Sequence, residues 1–304
     1  MVRVVKRLKS IRISRADSLH QHAGVFGHNL LVSPRRLRAL DSLTGEPPVW
    51  IPGGFPALAA ELRTRMEEMV ARLKRARSVL VLTGSGISSD SGLPTFRGVG
   101  GLWHNHRVEE LASPAGFARD PALVWNWYNE RNAAHRRAKP NAGHYAIAAL
   151  ETLVPDFTLA TQNVDSLHLR AGTSSLLELH GNLREARCER CGERRTLDAS
   201  GLPLDEIEHG CGGRMRPDIV WFGESLPRAV WERAEAAASR AAVILVVGTS
   251  ALVYPAAALA THYNDAAYVA EINTEETSIS GRVDCVLRGT AAEILPRIVE
   301  ALSA

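Results

Sequence analysis

The sequence predicts an α/β protein: a Rossmann-like parallel sheet with helices on both faces, carrying a small zinc-binding module. Three observations predict it. Short apolar runs recur at 78–83, 157–161, 242–247, 268–272 and 283–287, and they are close to continuously apolar, as in strands buried on both faces. Helical stretches at 58–77, 121–138, 144–153, 228–239, 255–263 and 291–302 alternate with these runs, the pattern of strands joined by crossover helices. One stretch, 184–217, breaks the rhythm. It is rich in Arg, Glu, Cys and Gly and lacks a strong apolar period, which suits a module held by a metal rather than by a core.

Composition narrows the function. The 304 residues are 45% apolar and 23% charged, ordinary for a globular chain with a full core. A net charge of +3 is too small to argue for nucleic acid. No apolar run reaches the roughly 18 residues that span a bilayer. Four cysteines in this length are no disulfide scaffold, and their clustering points to a metal site in a reducing compartment, hence to the cytoplasm.

The first 56 residues read differently. Arg3, Lys6, Arg7, Lys9, Arg12, Arg15, Arg35, Arg36 and Arg38 face a single acid, Asp17, before residue 41. Pro47, Pro48, Pro52 and Pro56 then interrupt any helix. The stretch reads as a disordered basic arm or an over-extended start, with Met66 or Met69 as alternative first residues. An Arg-rich, acid-poor arm also has the composition of a mitochondrial transit peptide.

From 58 the elements follow in order. Leu62, Met66, Met69, Val70 and Leu73 mark one face of an amphipathic helix. The strand at 78–83 runs into Gly84, Ser85, Gly86, Ser88 and Asp90. Strand, glycine turn and helix start is the geometry that brings backbone N–H groups to a pyrophosphate. The spacing is not GxGxxG, and on these residues alone a plain glycine-serine turn fits equally well. Phe96 and Arg97 follow the loop. In the helix at 121–138, Trp125, Tyr128 and Arg131 stand three apart, so Tyr128 and Arg131 share a face. The run 157–161 ends in Gln162, Asn163 and Asp165, and the run 176–179 ends on His180. Two strand ends thus deliver amides, a carboxylate and an imidazole to one edge of the sheet, where ligand sites of open α/β sheets form.

Six stretches together carry a family resemblance: GSGISSDSGLPTFRG at 84–98, TQNVDSLHLRAG at 161–172, LELHGNL at 177–183, RPDIVWFGE at 216–224, VGTSALVYPA at 247–256 and EINTEE at 271–276. From about residue 66 to its end the chain resembles the sirtuins, the NAD-dependent protein-lysine deacylases. The resemblance implies an enzyme that splits NAD at the nicotinamide–ribose bond, accepts acylated lysine side chains of proteins, and gives nicotinamide and O-acyl-ADP-ribose. It implies His180 as general base on a ribose hydroxyl, with Asn163 and Asp165 as its catalytic neighbours. Gln162, Asn163 and Asp165 match residues that hold the ribose and the nicotinamide amide, and Gly84, Ser85, Gly86, Ser88 and Asp90 match the pyrophosphate loop. Phe96 and Arg97 match its flank. Gly248, Thr249, Ser250, Asn273 and Ala291 match the adenosine side, and Val220, Trp221, Phe222, Gly223 and Glu224 match the segment along which a substrate peptide adds as a strand. An ADP-ribosyltransferase or NAD glycohydrolase on the same fold, and a non-catalytic NAD-sensing interaction protein, are the alternative readings.

Departures from the family pattern are local. Ser85 and Ser89 stand where alanine is usual, Asp90 where glutamate is usual, and Ser166 where glycine follows the aspartate. If that last position needs φ > 0, serine is strained there. In the module, Cys188 and Cys191 form a CxxC pair, but the second pair is broken: Cys211 is present and Glu208 occupies its partner's place. Glu208 or His209 could complete a zinc site with the three cysteines. Tyr128 and Arg131 match the Tyr-x-x-Arg of sirtuins that remove acidic acyl groups, a pairing in which guanidinium and hydroxyl receive a terminal carboxylate. The resemblance therefore implies succinyl-, malonyl- or glutaryl-lysine, with acetyl-lysine also accepted.

Overall fold

A computed structural model describes residues 56–95 and 108–304. The basic arm, Phe96 and Arg97 lie outside the described residues. Helix α1 (Pro56–Arg75) leads to β1 (Ser78–Thr83) and a 3-10 turn, Ser85–Ser91. Four helices follow: α2 (Val108–Leu111), α3 (Pro114–Arg119), α4 (Pro121–Arg137) and α5 (Ala142–Leu153). Then come β2 (Asp156–Thr161), α6 (Leu167–Arg170) and β3 (Leu176–Glu178). The module supplies β4 (Gly181–Cys188), β5 (Arg194–Thr196) and β6 (Met215–Ile219). The chain closes with α7 (Arg228–Arg240), β7 (Val243–Val247), β8 (Tyr268–Asn273), β9 (Cys285–Arg288) and α8 (Ala291–Ser303).

Six strands form one sheet in the order β3-β2-β1-β7-β8-β9, and each neighbouring pair is parallel. Side chains alternate across a strand, so continuous apolarity feeds two layers. Val79 and Val81 of β1 pack with Met69, Ile147, Leu150 and Ile294 under α1, α5 and α8. Leu80 and Leu82 face the other way, onto Ala234, Ala237 and Ala238 of α7, whose small side chains let the helix lie close. Among the described residues no helix is long and apolar enough to cross a membrane.

The structure corrects the sequence reading of the fold in two places. The helix expected at 255–263 is a short 3-10 turn, Ala256–Ala260, entered through Pro255. The module, expected to depend on a metal in place of a core, has both a sheet of order β5-β4-β6 and a core. Leu183, Ala186, Leu197, Leu202, Ile207 and Met215 pack together with Val124, Trp125 and Tyr128 of α4. The module's own members of this core are isolated in sequence, so no apolar period announces them.

Candidate active site

The strand order reverses direction at β1 and β7, and the loops leaving them meet there. Gly84 N donates to Val247 O at 3.1 Å, and Gly86 N donates to Gly248 O at 2.8 Å. The approach excludes side chains: a Cβ on Gly248, at φ 58°, would lie 2.4 Å from Ile87 N, and one on Gly84 would lie 2.7 Å from the Thr249 Cβ. Gly92, at φ 79°, has open space around its Cβ position. Gly92→Ala should therefore cost only left-handed strain, roughly 1–2 kcal/mol. Gly248→Ala adds a backbone clash worth a further 1–3 kcal/mol, roughly. Denaturant midpoints of the two variants check this, and equal losses would refute the close-approach account.

A cavity of about 590 Å³ opens above this crossing. Of the residues singled out in the sequence, Gly84, Ser85, Gly86, Gln162, Asn163, His180, Gly248, Thr249, Ser250, Asn273 and Ala291 line it. So do Tyr128, Arg131 and the segment from Val220 to Glu224. Ser88 and Asp165 lie beneath it, on a much smaller second cavity that Asn163 and Arg131 also border. Asp90 is not brought in: Ile87 and Ser88 take the inward positions of the 3-10 turn, and Asp90 is exposed on its outer side.

The floor of the cavity is a polar layer. Ser88 Oγ donates to Asp165 Oδ2 at 2.7 Å, and Leu167 N donates to Asp165 Oδ1 at 2.9 Å. Burial raises the Asp165 carboxyl above its ordinary range, against the pull of these bonds. Asn163 Nδ2 donates to Gly84 O at 3.1 Å, which ties the strand-end amide to the glycine turn. His144, missed in the sequence reading, joins this layer. Its Nδ1 accepts from Asn141 N at 3.3 Å, so Nε2 carries the proton and faces Ser88 Oγ at 3.5 Å. The available signal was the capping box of α5, with Asn141 at the N-cap and His144 three residues on.

Ser166 adopts the left-handed conformation, φ 64°. Its hydroxyl accepts from Arg184 Nη1 at 2.7 Å, and Arg184 forks onto Glu178 at 2.8 and 3.0 Å. The strained loop is thus tied to the end of β3, next to His180. His180 Nδ1 lies 3.1 Å from Gln162 O. A carbonyl only accepts, so Nδ1 holds the proton and Nε2 keeps its lone pair. Burial lowers the imidazole pKa below its ordinary value, with the Gln162 bond opposing. The ring is therefore neutral and basic near pH 7.

Tyr128 and Arg131 of α4 complete the lining, both buried. The Tyr128 hydroxyl accepts from Trp221 Nε1 at 3.2 Å, and burial raises its pKa far above the ordinary value. The Arg131 guanidinium lies 4.5 Å from the centre of the Trp127 ring. Burial pulls its pKa down to about 10, which leaves it cationic at neutral pH. The segment 220–224 is held by Val220 N donating to His180 O at 2.9 Å and by Arg216 forking onto Glu224 at 2.5 and 2.8 Å. Glu224 thus shapes its own turn and also receives Trp221 N at 2.8 Å.

In the module, Cys188, Cys191, Cys211 and His209 bring four ligand atoms within 4.8 Å of one another. Tetrahedral zinc with ordinary bond lengths sets about 3.8 Å between two sulfurs and about 3.6 Å between sulfur and nitrogen. Cys188 Sγ and Cys211 Sγ are 3.5 Å apart, and Cys191 Sγ is 3.6 Å from His209 Nδ1. The four residues fit a zinc ion. Glu208, the other candidate for the fourth ligand, does not belong to the cluster: its carboxylate is exposed and accepts from Arg214 Nε at 3.0 Å. His209 turns its remaining nitrogen to Glu193 at 3.3 Å, an arrangement that orients a metal-binding imidazole.

Comparison with known proteins is consistent with this geometry. The family model described as Sir2 family matches residues 84–255. A protein named NAD-dependent protein deacylase 2, from Pyrobaculum aerophilum, is 50% identical over 229 residues, covering 75% of this chain and 92% of its own length. An NAD-dependent protein deacylase of Thermus thermophilus is 49% identical over 234 residues, with coverage of 75% and 92%. Among solved structures, a Sir2 homologue–ADP ribose complex superposes with a TM-score of 0.75 at 41% identity, covering 78% of this chain and 96% of that one. A Sir2–p53 peptide–NAD+ complex gives a TM-score of 0.67 at 31% identity, covering 77% and 97%.

Proposed function

The chain belongs to the Sir2 family and is an NAD-dependent protein deacylase, and we propose that it prefers lysines carrying an acidic acyl group, succinyl- or malonyl-lysine first. One observation carries the preference: a buried guanidinium, Arg131, and a buried phenol, Tyr128, line the same cavity as His180. A guanidinium forks onto a carboxylate, and a carboxylate at the end of a short acyl chain is the anion a deacylase substrate can bring. Acetyl-lysine has nothing to offer the cation and is the slower substrate.

The remaining roles belong to the same proposal and are those the family resemblance implies. NAD, when bound, supplies the electrophilic ribose carbon that the acyl oxygen attacks. Gly84, Ser85 and Gly86 line the cavity beside the crossing of β1 and β7, where a pyrophosphate is received at the start of the 3-10 turn. Gln162, Asn163 and Asp165 hold the nicotinamide half, and Thr249, Ser250 and Asn273 the adenosine half. His180 Nε2 takes the proton of a ribose hydroxyl. Residues 220–224 offer an edge for a peptide strand. Wild-type turnover of paired peptides bearing succinyl-lysine or acetyl-lysine, with NAD, tests the reading. A higher kcat/KM for succinyl supports it, and equal or better acetyl turnover overturns the acidic-acyl preference.

The same reading gives the cysteine cluster to one structural zinc ion, held by Cys188, Cys191, His209 and Cys211. The purified protein is expected to carry about one equivalent of zinc, and Cys211→Ser to carry less and to unfold at lower temperature. Glu208→Ala should retain the metal. Metal analysis of Glu208→Ala decides between the two candidates for the fourth ligand, and that of Cys211→Ser tests the cysteine cluster itself.

A further inference from the structure

Helix α4 borders both the cavity and the small module, with Tyr128 shared between them. Tyr128 and Arg131 line the cavity. Val124, Trp125 and Tyr128 belong to the apolar core of the small module, not to either layer of the parallel sheet. Polar side chains of the same helix then grip the module's backbone. Asn129 pairs its amide with both groups of Leu202, donating to the carbonyl at 2.8 Å and accepting from the N–H at 3.0 Å. Asn132 Nδ2 donates to Asp198 O at 2.7 Å, and Trp125 Nε1 donates to Met215 O at 2.7 Å. Arg136 donates to Leu197 O. The fit is close: a Cβ on Gly201, at φ 84°, would lie 1.9 Å from Asn129 Oδ1. His180, Asn163 and the glycine turn, in contrast, are carried by the ends of parallel-sheet strands.

We infer that Asn129 and Asn132 are positioning residues for acyl recognition: they fix α4 to the 197–202 loop of the module, and so set Tyr128 and Arg131 relative to His180. The inference rests on the acyl role proposed for Tyr128 and Arg131. Neither asparagine lines the cavity, and each acts through the helix that carries it. An amide pairing with both backbone groups of one residue sets the depth of a helix more sharply than apolar contact does, since hydrogen bonds are directional. Displacement of a recognising group by a fraction of its reach weakens substrate contacts without touching the chemistry.

The test compares full-length wild type with Asn129→Ala, Asn132→Ala and, as a control on the same helix, Asn126→Ala, whose side chain is exposed. KM for the acyl peptide should rise about tenfold in Asn129→Ala and less in Asn132→Ala, while KM for NAD is unchanged. Amide hydrogen exchange should quicken across 124–133 and stay unchanged across 142–153 in α5. Asn126→Ala should behave as wild type. A merely structural role would raise both KM values together and speed exchange throughout, and that result overturns the inference, as does unchanged exchange across 124–133. If Asn129→Ala fails to fold, Asn132→Ala carries the same comparison. If wild type shows no preference between succinyl and acetyl peptides, the acidic-acyl reading fails. Exchange across 124–133 then decides the positioning role by itself: quickening confined to α4 supports it, and no change overturns it.

Discussion

Replacing His180 by alanine is expected to lower deacylation by about 10²–10⁴-fold while the fold and NAD binding survive. The loss follows from what the side chain holds. Its Nδ1 proton is committed to Gln162 O, at 3.1 Å, so the variant removes the Nε2 lone pair and little else. The structural cost is one hydrogen bond, roughly 0.5–1.5 kcal/mol. Neighbouring positions are fixed independently: Asn163 is tied to Gly84 O, and Val220 N bonds the backbone carbonyl of residue 180, which alanine keeps. The pH profile gives a second reading. Burial lowers the pKa of this histidine below 6.5, and the base form is the one that works. kcat/KM should therefore rise with pH through a value below 6.5 and be level by neutrality; it is lost as pH falls through that value. Full activity in His180→Ala, or an acid limb centred above 6.5 that survives the substitution, would remove His180 from the mechanism.

The parallel sheet was legible because strands buried on both faces must be apolar at every position, and a run such as 78–83 has few other uses. The strand-end residues were legible for a related reason. Gln162, Asn163 and His180 are polar where an apolar run stops, and a parallel topology sends those ends to one edge. The module's core was not legible, because Leu183, Leu197, Leu202 and Ile207 are single residues separated by turns, and the surface they cover belongs to α4. Spacing alone also left Glu208 and His209 equivalent. In extended backbone, neighbouring side chains point to opposite sides. Glu208 bridges Arg214 and points outward, which puts His209 among the cysteines. Ser166 was anticipated as strained and is so, but the Arg184 fork that holds it depends on β3 and β4 coming together, which no local pattern encodes.

Arg131→Met is expected to lower kcat/KM for a succinyl-lysine peptide by about 10- to 150-fold, the equivalent of roughly 1.5–3 kcal/mol for a hydrogen bond to a charged group. Methionine keeps much of the length of the side chain and its apolar contact with Trp127, so the loss isolates the charge. Acetyl-lysine should be unaffected, because its acyl group carries no carboxylate for the guanidinium to receive. Burial pulls the Arg131 pKa down to about 10, against the opposing pull of Tyr128 and Asp165. A substrate carboxylate would add to that opposing pull, and the addition appears as selectivity. Tyr128→Phe should move selectivity the same way by less, since it removes a neutral donor and also leaves Trp221 Nε1 without its acceptor. The ratio of succinyl to acetyl kcat/KM in the three proteins measures all of this at once. If the ratio is the same in wild type and Arg131→Met, then the guanidinium against Trp127 is a packing element, and selectivity must be sought among the other residues that line the cavity, such as those at 220–224.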